Sequence, residues 1–321
     1  MVQRSLPHQS VLAATVLTYG AGLLCILAQF FPNVSLFEMA TSFLPLISLA
    51  SIAATLALFR YHARIAVAGV VFVGWAALPF LSFPKYTTPS HSACEPNTCL
   101  TVIVANVYQL DPALVRLAEL SEAHNPDLIA VIEPPASANP ETYREHFPEH
   151  DQIVHVDRRP GANGASIPLS LLSRQGFASA DSDIPDRTGL RALIKADLKG
   201  KWSGVRIVTA HPHVPLTAPG LHARNRLLSV AGDTAEESEA FILMGDFNLT
   251  PWSPTFRALP GKRAGDPRFV QTWPVAWGPL GIPIDHIMIS ENLELVEARL
   301  LPHTGSDHRA ILARFRPKAR E

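Results

Sequence analysis

The sequence predicts an α/β domain built on packed mixed β-sheets and preceded by three transmembrane helices. Three runs near the start contain no charged residue: Val11 to Phe31, Met39 to Phe59 and Ile65 to Phe83. Beyond residue 100, short apolar, β-branched runs recur between turn residues, as strands do. Helical patterns do not separate these runs regularly, so the order favours mixed sheets over a doubly wound parallel sheet.

Each of the three apolar runs is about long enough to cross a ~30 Å hydrocarbon layer as a helix. Pro45 and Pro79 lie within two of the runs, and prolines are tolerated in membrane helices. A cleaved signal peptide would explain the first run but not the two behind it. Buried helices of a soluble core would show a polar stripe that these runs lack. We therefore expect a membrane anchor over residues 1–85.

The charged residues that flank the apolar runs predict how the anchor is oriented. Arg4 precedes the first run, Arg60 and Arg64 separate the second from the third, and the first loop carries only Glu38. Positive residues prefer the cytoplasmic side. The N-terminus is therefore expected inside and everything after residue 83 outside, with Lys85 as the one contrary charge.

A polar segment, residues 86–100, is expected to link the anchor to a folded domain over residues 101–321. Cys94 and Cys99 stand five residues apart in this segment. Outside the cytoplasm they could form a disulfide, although two free thiols fit the sequence nearly as well. Cys25, in the first apolar run, reads as an apolar filler.

The charge balance bears on the class of partner. Lys and Arg number 27 and Asp and Glu 28, of which 4 and 1 lie in the first 85 residues, so the remainder carries 23 and 27 and a net charge of −4. Proteins that bind nucleic acid without sequence preference usually present a basic face. The outer domain is therefore a weaker candidate for such binding, without excluding a local basic patch.

The folded domain begins with a strand, a helix and a second strand. Thr101 to Ala105 is an apolar strand, Asp111 and Pro112 supply an N-cap and a first-turn proline, and Asn125-Pro126 ends the helix. Leu128 to Ile132 follows as a buried strand. Further strands are predicted at Leu169 to Leu172, Ala192 to Ala196, Val205 to Ala210, Phe241 to Met244, Ile284 to Ile289 and Ala310 to Phe315, with a helix at Leu221 to Ala231.

Polar residues stand directly after or at the edge of these buried runs, where a strand leaves the core and can present side chains to a cleft. One such residue is usually a turn former, but turn chemistry does not repeatedly select carboxylates, amides and imidazoles while omitting Lys and Arg. The set consists of Asn106, Glu133, His211, Asp246, Asn248, Asp285, His286, Asp307 and His308.

Carboxylate and amide oxygens are hard ligands suited to Mg²⁺ or Mn²⁺, which keep open positions for phosphate oxygens. A structural zinc site would require paired Cys and His spacings that this domain lacks. Two imidazoles, each near an acid, could transfer protons and stabilise charge on a phosphoryl group. The residues therefore indicate metal-dependent hydrolysis of a phosphate ester.

The same residues, in this order, closely resemble the endonuclease/exonuclease/phosphatase superfamily over residues 101 to 315. The resemblance is carried by Asn106, Glu133, His211, the sequence GDFN at 245–248, IDH at 284–286 and GSDH at 305–308, and more weakly by SLLSR at 170–174. The apolar N-terminal runs together with TPWSPTF and PIDHI resemble the membrane-bound bacterial members. This implies a four-layered αββα sandwich of two mixed sheets flanked by helices, with the active site at one edge.

The resemblance also implies roles for the residues. Glu133 is expected to be the principal metal ligand, with Asn106 and Asp307 nearby. Asp246 would orient or deprotonate the attacking water, and Asn248 would hold the phosphate.

Asp285 would pair with His308, which would touch the scissile phosphate. His211 matches the other catalytic imidazole and is preferred to His213 because it directly follows the strand. Members often carry Gln before the metal-binding Glu, but here the residue is Ile132, which removes an amide that supports the ligand.

Other polar and aromatic residues have less specific interpretations. Arg224 and Arg226 could meet phosphate oxygens, but solvated helix charges are the preferred interpretation, and His286 is expected to be structural. The tryptophans could form a substrate platform for bases or lipids, or equally pack in a core; they are Trp252, Trp273 and Trp277.

We therefore expect a Mg²⁺-dependent phosphoesterase, with Mn²⁺ as the other possible metal, anchored in a bacterial cell membrane and facing the periplasm or exterior. The anchor and the acidic balance favour a lipid or small phosphoester over nucleic acid, and the superfamily resemblance keeps an extracytoplasmic nuclease as the alternative. A catalytically silent module that binds a phosphorylated ligand is the rival from another class. No protein partner is identifiable from the sequence.

Overall fold

A computed structural model describes residues 8–59, 66–67, 69–70, 74, 85–90, 94, 98–157, 160–161, 164–165, 167–186 and 191–318. The chain divides into two compact units. The first contains residues 1–84 with the segments Pro215–Ala218 and Thr250–Arg257. The second contains Lys85–Val214, Pro219–Leu249 and Ala258–Glu321.

The first unit contains helices α1 (His8–Phe30), α2 (Ser35–Ser42) and α3 (Leu44–Phe59). Within the described residues, one helical stretch, Leu12–Phe30, is long and apolar enough to cross a membrane, with a mean hydropathy of 1.7. A second would count only if α2 and α3 were taken as one span, but a bend of 75° separates them. Such a helix near the N-terminus could be an anchor or a signal sequence.

The structure divides the span predicted from Met39 to Phe59 into two helices, because the backbone of Phe43 leaves the helical conformation and α3 starts afresh at Leu44. The break lies two residues before Pro45, which falls in the first turn of α3, where its missing N–H costs no intrahelical hydrogen bond. The third predicted span, Ile65 to Phe83, lies largely outside the described residues.

One carboxylate is buried in this first unit. Glu38, in the first turn of α2, is fully buried and accepts hydrogen bonds of 2.9 and 3.1 Å from the hydroxyl of Ser253. Arg257 in the same unit donates to Gln29 of α1 at 3.3 Å. Because a buried carboxylate without donors is costly, the hydroxyl of Ser253 stabilises the buried side chain of Glu38.

The remaining described elements are fifteen strands, all in the second unit, and four α-helices, of which the last lies in the first unit except for Ala258. The helices are α4 (Asp111–His124), α5 (Pro140–His146), α6 (Ala218–Glu236) and α7 (Pro254–Ala258). The strands are β1 (Tyr86–Thr87), β2 (Leu100–Asn106), β3 (Leu128–Ile132), β4 (Gln152–Val156), β5 (Pro160–Gly161), β6 (Gly164–Ala165), β7 (Leu169–Ser173), β8 (Phe177–Asp186), β9 (Arg191–Leu198), β10 (Val205–Ala210), β11 (Ala240–Asp246), β12 (Lys262–Ala264), β13 (Asp285–Ile289), β14 (Leu293–Leu300) and β15 (Ile311–Pro317).

These strands form two mixed sheets and a short hairpin. The larger sheet has the order β1-β12-β13-β11-β10-β9-β8, with β10 and β11 parallel. The other has the order β14-β15-β2-β3-β7-β4, with β2 and β3 parallel. Apolar side chains from both sheets, such as Val104, Ile132, Ile207 and Met244, form one fully buried core. This places the two sheets face to face.

A second core lies on the other side of the six-stranded sheet. Leu114 and Leu117 of α4 and Tyr143 of α5 pack there against Ile103 and Ile129. Two mixed sheets with helices therefore agree with the predicted α/β sandwich, and each sheet buries one face that a single layer would leave in water.

Several predictions of local structure are refined. The linker prediction for 86–100 is wrong in part, since β1 pairs in parallel with β12. Asp111 is the first helical residue rather than the N-cap, which is Leu110. Cys94 and Cys99 form a disulfide. The described strands β4, β8 and β14 were not predicted, because polar residues interrupt their apolar pattern.

Candidate functional site

The predicted site residues converge because parallel strands end at the same edge of a sheet. Asn106 ends β2 beside Ile132 of β3, and Glu133 follows. In the facing sheet, His211 follows β10 and Asp246 ends the neighbouring parallel strand β11. Strand β13 then enters antiparallel, so its first residue, Asp285, lies opposite Asp246.

The glycine of GDFN permits a close approach of two strands at this edge. Gly245 has φ +147°, and a Cβ built on it would lie 1.9 Å from the carbonyl oxygen of Ala210. Only glycine fits at such a distance. Asp246 and His211, the next residues of the two strands, are thereby held close together.

Glu133, Asn106, Asp246 and His211 form a continuous polar cluster. The amide of Asn106 donates to Asp246 at 3.0 Å and to Glu133 at 3.4 Å. His211 Nε2 lies 3.0 Å from Glu133, and its Nδ1 contacts the backbone oxygen of Asp246 at 3.2 Å. His211 is buried. The structure thus places His211, rather than His213, against the predicted metal ligand.

The backbone around Glu133 is unusual for residues with side chains. Glu133 has φ +52°, and Tyr108 and Gln109 have φ +51° and +57°. Non-glycine residues in this region are strained and concentrate at functional sites. The turn brings Gln109 to Glu133, where its backbone N–H donates to the Glu133 carbonyl at 2.8 Å and its side chain donates to the carboxylate at 3.3 Å.

Gln109 therefore supplies a side-chain amide to the carboxylate of Glu133, which Ile132 cannot do. Burial by itself would raise the pKa of Glu133, but the hydrogen bond and charge of His211, with the amides of Gln109 and Asn106, lower it to about 2. The carboxylate is consequently ionised at all physiological pH values, as a metal ligand must be.

A second cluster joins Asp285, His308 and Asp246. His308 Nδ1 contacts Asp285 at 2.8 Å, and its Nε2 lies 3.8 Å from Asp246. Burial opposes protonation of the imidazole, but the charge and hydrogen bond of Asp285, with the charges of Asp246 and Asp307, raise its pKa to about 10. His308 is therefore an imidazolium at neutral pH.

Asp246 belongs to both clusters and is buried. Burial and the nearby charge of Asp285 raise its pKa, while the charges of His308 and His211 oppose the rise. The backbone N–H of Asn248 donates to its other oxygen at 2.9 Å. A buried carboxylate between two imidazoles, with a raised proton affinity, is suited to accept a proton.

Asp307 lies beside His308, with a carboxylate oxygen 3.9 Å from its Nε2. The indole of Trp273 donates to the other oxygen of Asp307 at 2.9 Å. The oxygen nearer to His308 is buried and has no hydrogen-bond partner among the described residues. Such an atom is costly unless something pairs with it, and a cation or a protonated ligand would do so.

The loop that carries Asn248 is fixed by buried donors. Asn248 has φ +48°, and its amide donates to the carbonyl of Pro212 at 3.1 Å. Arg224 is fully buried and donates to the Asn248 carbonyl at 3.1 Å. The expectation of a solvated charge at Arg224 is therefore wrong, whereas Arg226 is exposed as expected.

His286 also holds the loop that carries Asn248. Its Nε2 contacts the Leu249 carbonyl at 2.7 Å, and Arg263 donates to its Nδ1 at 2.9 Å. Burial and the charge of Arg263 lower the pKa of His286, so the ring is neutral and donates from Nε2. His286 thus has the structural role that was expected, one residue after Asp285.

Arg191, which was not singled out from the sequence, also belongs to the site. It opens β9, and its charge is attracted by Glu133 and Asp246 even though burial lowers its pKa. One guanidinium nitrogen is buried without a hydrogen-bond partner among the residues that the structure describes. No local pattern marks this arginine, because the strand pairing alone brings it to the carboxylates.

The three tryptophans have different surroundings. Trp252 is buried, which supports the packing interpretation for this residue. Trp273 contacts Asp307 and lies with its ring centroid 6.4 Å from that of His308. Trp277 is exposed.

The donor set fits a hard divalent cation. Two groups of acidic and imidazole residues have candidate ligand atoms within 4.8 Å of one another, namely Glu133 with His211 and Asp246, and Asp246 with Asp285 and His308. Asp307 is in neither group, although one of its oxygens lies 3.9 Å from His308 Nε2 in the second. Oxygen-rich ligands without cysteine favour Mg²⁺ or Mn²⁺ over structural zinc.

An α/β sandwich with carboxylates, amides and imidazoles clustered at one edge of two sheets defines a class of metal-assisted hydrolases. The Endonuclease/Exonuclease/phosphatase family matches residues 103–308 of the sequence. The chain belongs to this family, as the motifs predicted. The comparison with curated protein sequences gives no significant match.

Solved structures show the same fold at low sequence identity. An endonuclease/exonuclease/phosphatase from Beutenbergia cavernae is similar with a TM-score of 0.57 and 16% identity, over 69% of this chain and 72% of that one. A family protein from Bacteroides vulgatus gives 0.56 and 18%, over 69% and 100%. TDP2 from D. rerio, in complex with a single-strand DNA product, gives 0.55 and 16%, over 68% and 99%.

Proposed function

We propose that this protein is a membrane-anchored phosphoester hydrolase that depends on Mg²⁺ or Mn²⁺ and acts by in-line attack of water. The observation that carries the proposal is the convergence of Glu133, His211, Asp246 and His308, whose ligand atoms come from four separate strand ends. Family membership supports hydrolysis of phosphoester bonds, and the donor chemistry supports the metal.

Glu133, Asn106 and Asp307 would hold the metal. Glu133 is ionised, Asn106 offers a carbonyl oxygen, and one oxygen of Asp307 is unpartnered among the described residues. When bound, the metal would neutralise charge on the phosphoryl group and lower the pKa of its water.

Asp246 would take a proton from the attacking water. Its raised pKa and its position between His211 and His308 suit this role. The Asn106 amide, which donates to the same carboxylate at 3.0 Å, keeps one oxygen oriented. Deprotonation here would be balanced by attack on phosphorus and release of the ester oxygen.

His308 would stabilise the phosphoryl oxygens and the leaving oxygen. Its Nδ1 is engaged by Asp285, so the protonated Nε2 is the nitrogen left to face the substrate. Asn248 and Arg191 would contact non-bridging oxygens. Within the described part of the chain one guanidinium nitrogen of Arg191 has no hydrogen-bond partner, which supports an anionic ligand beside the carboxylates.

The anchor part of the proposal rests on α1 and on the charges that flank the apolar runs. Only 19% of the apolar window within Leu12–Phe30 is buried. Arg4, Arg60 and Arg64 favour the cytoplasmic side, which would put the second unit in the periplasm or outside the cell. The disulfide between Cys94 and Cys99 supports an oxidising compartment.

The test uses the full chain in detergent micelles with bis(4-nitrophenyl) phosphate and 4-nitrophenyl phosphate as soluble substrates. We expect turnover with Mg²⁺ or Mn²⁺, its loss with EDTA, and loss of at least 100-fold in Glu133→Ala and His308→Ala. His222→Ala, at an exposed position of α6, is the matched control. Full activity in both site variants, with circular dichroism unchanged, contradicts the proposal.

The nuclease alternative is favoured by one observation, the similarity to TDP2 bound to a DNA product. Single-stranded and plasmid DNA are therefore assayed beside the soluble esters. Metal-dependent phosphate binding by calorimetry without any turnover would instead favour a silent binding module.

A further inference from the structure

The exposed apolar side chains of the second unit are concentrated on loops that carry site residues. Six large apolar side chains of that unit are exposed in the part of the chain that the structure describes. Five of them lie on three such loops. They are Tyr108 (53% exposed), Leu110 (39%), Val214 (44%), Trp277 (48%) and Leu280 (55%).

The sixth side chain, Val115, is on the outer part of helix α4 and is 42% exposed. Single exposed apolar residues are normal on protein surfaces. A distribution in which nearly all of them border one site is not expected from chance exposure, and it marks the mouth of the site as an interaction surface.

Hydrogen bonds tie each loop to the site. The backbone N–H of Tyr108 donates to Asn106 at 2.9 Å. Val214 follows Pro212, whose carbonyl accepts from Asn248 at 3.1 Å. These two loops therefore contact the predicted metal and phosphate ligands directly.

The third loop is attached in the same way. It contains Trp277 and Leu280, and the backbone N–H of its first residue, Val275, donates to the Asp307 carbonyl at 2.9 Å. We name the five exposed residues of the three loops the apolar rim.

The three loop segments, residues 107–110, 212–214 and 275–280, contain no Lys, Arg, Asp or Glu. A surface that binds nucleic acid strands combines aromatic residues with cations that contact phosphates, and this one lacks the cations. Tryptophan and tyrosine beside aliphatic residues are instead typical of proteins at a membrane–water interface.

If α1 is an anchor, a lipid bilayer is also the apolar surface most available to the protein. A tether that holds the second unit near a bilayer gives the rim a high effective concentration of lipid. The net charge of −4 beyond residue 85 disfavours attraction to anionic lipids, so a zwitterionic surface fits best.

We infer that the apolar rim docks on a lipid–water interface and that the substrate is a phosphoester of a membrane lipid. This inference rests on the proposed function and adds the substrate class to it. The rim would enter the interfacial region, so that a lipid headgroup reaches Glu133 and His308 without leaving the bilayer.

The first experiment measures contact directly and needs no knowledge of the headgroup. The full chain with Cys25→Ser is reconstituted in phosphatidylcholine vesicles, with an environment-sensitive fluorophore on Leu280→Cys or, as the control, on Val115→Cys. We expect a blue shift and quenching by nitroxide-labelled lipid at position 280 and neither at position 115. Equal responses at the two positions overturn the inference.

The second experiment separates the rim from the chemistry. Trp277→Ser with Leu280→Ser should lower hydrolysis of phosphatidylcholine, phosphatidylethanolamine or phosphatidylglycerol in mixed micelles by about tenfold or more. Hydrolysis of bis(4-nitrophenyl) phosphate should not change, and Val115→Ser should affect neither substrate.

The possible failures are distinguishable. If the wild type cleaves the soluble ester but none of the phospholipids, or if single-stranded DNA is the substrate that the rim variant loses, the lipid inference is wrong and the proposed function stands. If the wild type cleaves no phosphoester, the proposed function itself fails.

Discussion

Replacing Asp285 by Asn tests whether His308 is held as an imidazolium. The carboxylate lies 2.8 Å from His308 Nδ1, and both side chains are buried. Asn keeps the shape and an oxygen acceptor but removes the charge. The raised proton affinity of the imidazole should then largely disappear, because burial alone favours the neutral ring.

The size of the effect follows from the pKa of His308, about 10 against the usual 6.5. This difference corresponds to about 5 kcal/mol in favour of the protonated form. Asp246 and Asp307 still contribute in the variant, so we expect the pKa to fall by roughly 2 to 3 units. Because the pKa of His308 is higher in the folded state than in the unfolded state, its protonation stabilises the folded protein. This stabilisation is complete below pH 6.5 and is lost as the pH rises through 10.

The assay is an NMR titration of the histidine ring signals of the metal-free full chain in detergent, with His308→Gln to assign the signal. In Asp285→Asn the alkaline limb of the pH–activity profile for the soluble diester should move to lower pH by a similar amount. The reasoning is refuted if His308 of the variant still titrates near pH 10, or if its ring titrates near 6.5 in the wild type.

Three further predictions concern single positions. Glu133→Gln should weaken binding of Mg²⁺ or Mn²⁺ at least tenfold by calorimetry because it removes an ionised ligand, and unchanged binding would place the metal elsewhere. Gly245→Ala should destabilise the protein by about 3 kcal/mol, since its Cβ would meet the Ala210 carbonyl at 1.9 Å; an unchanged thermal midpoint would show that the strands separate easily. Ser253→Ala should lower the free energy of unfolding by about 1–3 kcal/mol, because it removes a donor to buried Glu38. Ser253→Thr should restore the thermal midpoint. An Ala variant with an unchanged thermal midpoint would contradict the buried pair.

The strands that end at the site were largely predictable because their residues carry a local signal. Leu128 to Ile132 is a continuous apolar run, and burial on both faces requires such a run wherever it occurs. Strand β8 was not predicted, since its sequence FASADSDIPD is polar. Its side chains beyond Phe177 are exposed where the structure describes them. Its place in the sheet comes from pairing with β9, which no local pattern encodes.

The N-terminal helices show the same division. Apolar composition predicted helices there, and α1 agrees. The burial of Glu38 against Ser253, 215 residues later, depends on a contact that hydropathy does not record.

By itself, the sequence determined the family, the strand-end residues and the kind of metal they suit, because side-chain chemistry and motif order are local properties. Only the tertiary structure decided that Gln109 contacts Glu133, that the charge of Arg191 is attracted by Glu133, that Arg224 supports the Asn248 loop, and that the pKa of His308 is raised. The physical reason is distance: a pKa or a hydrogen bond depends on groups within a few ångströms, and the fold alone brings residues distant in sequence that close.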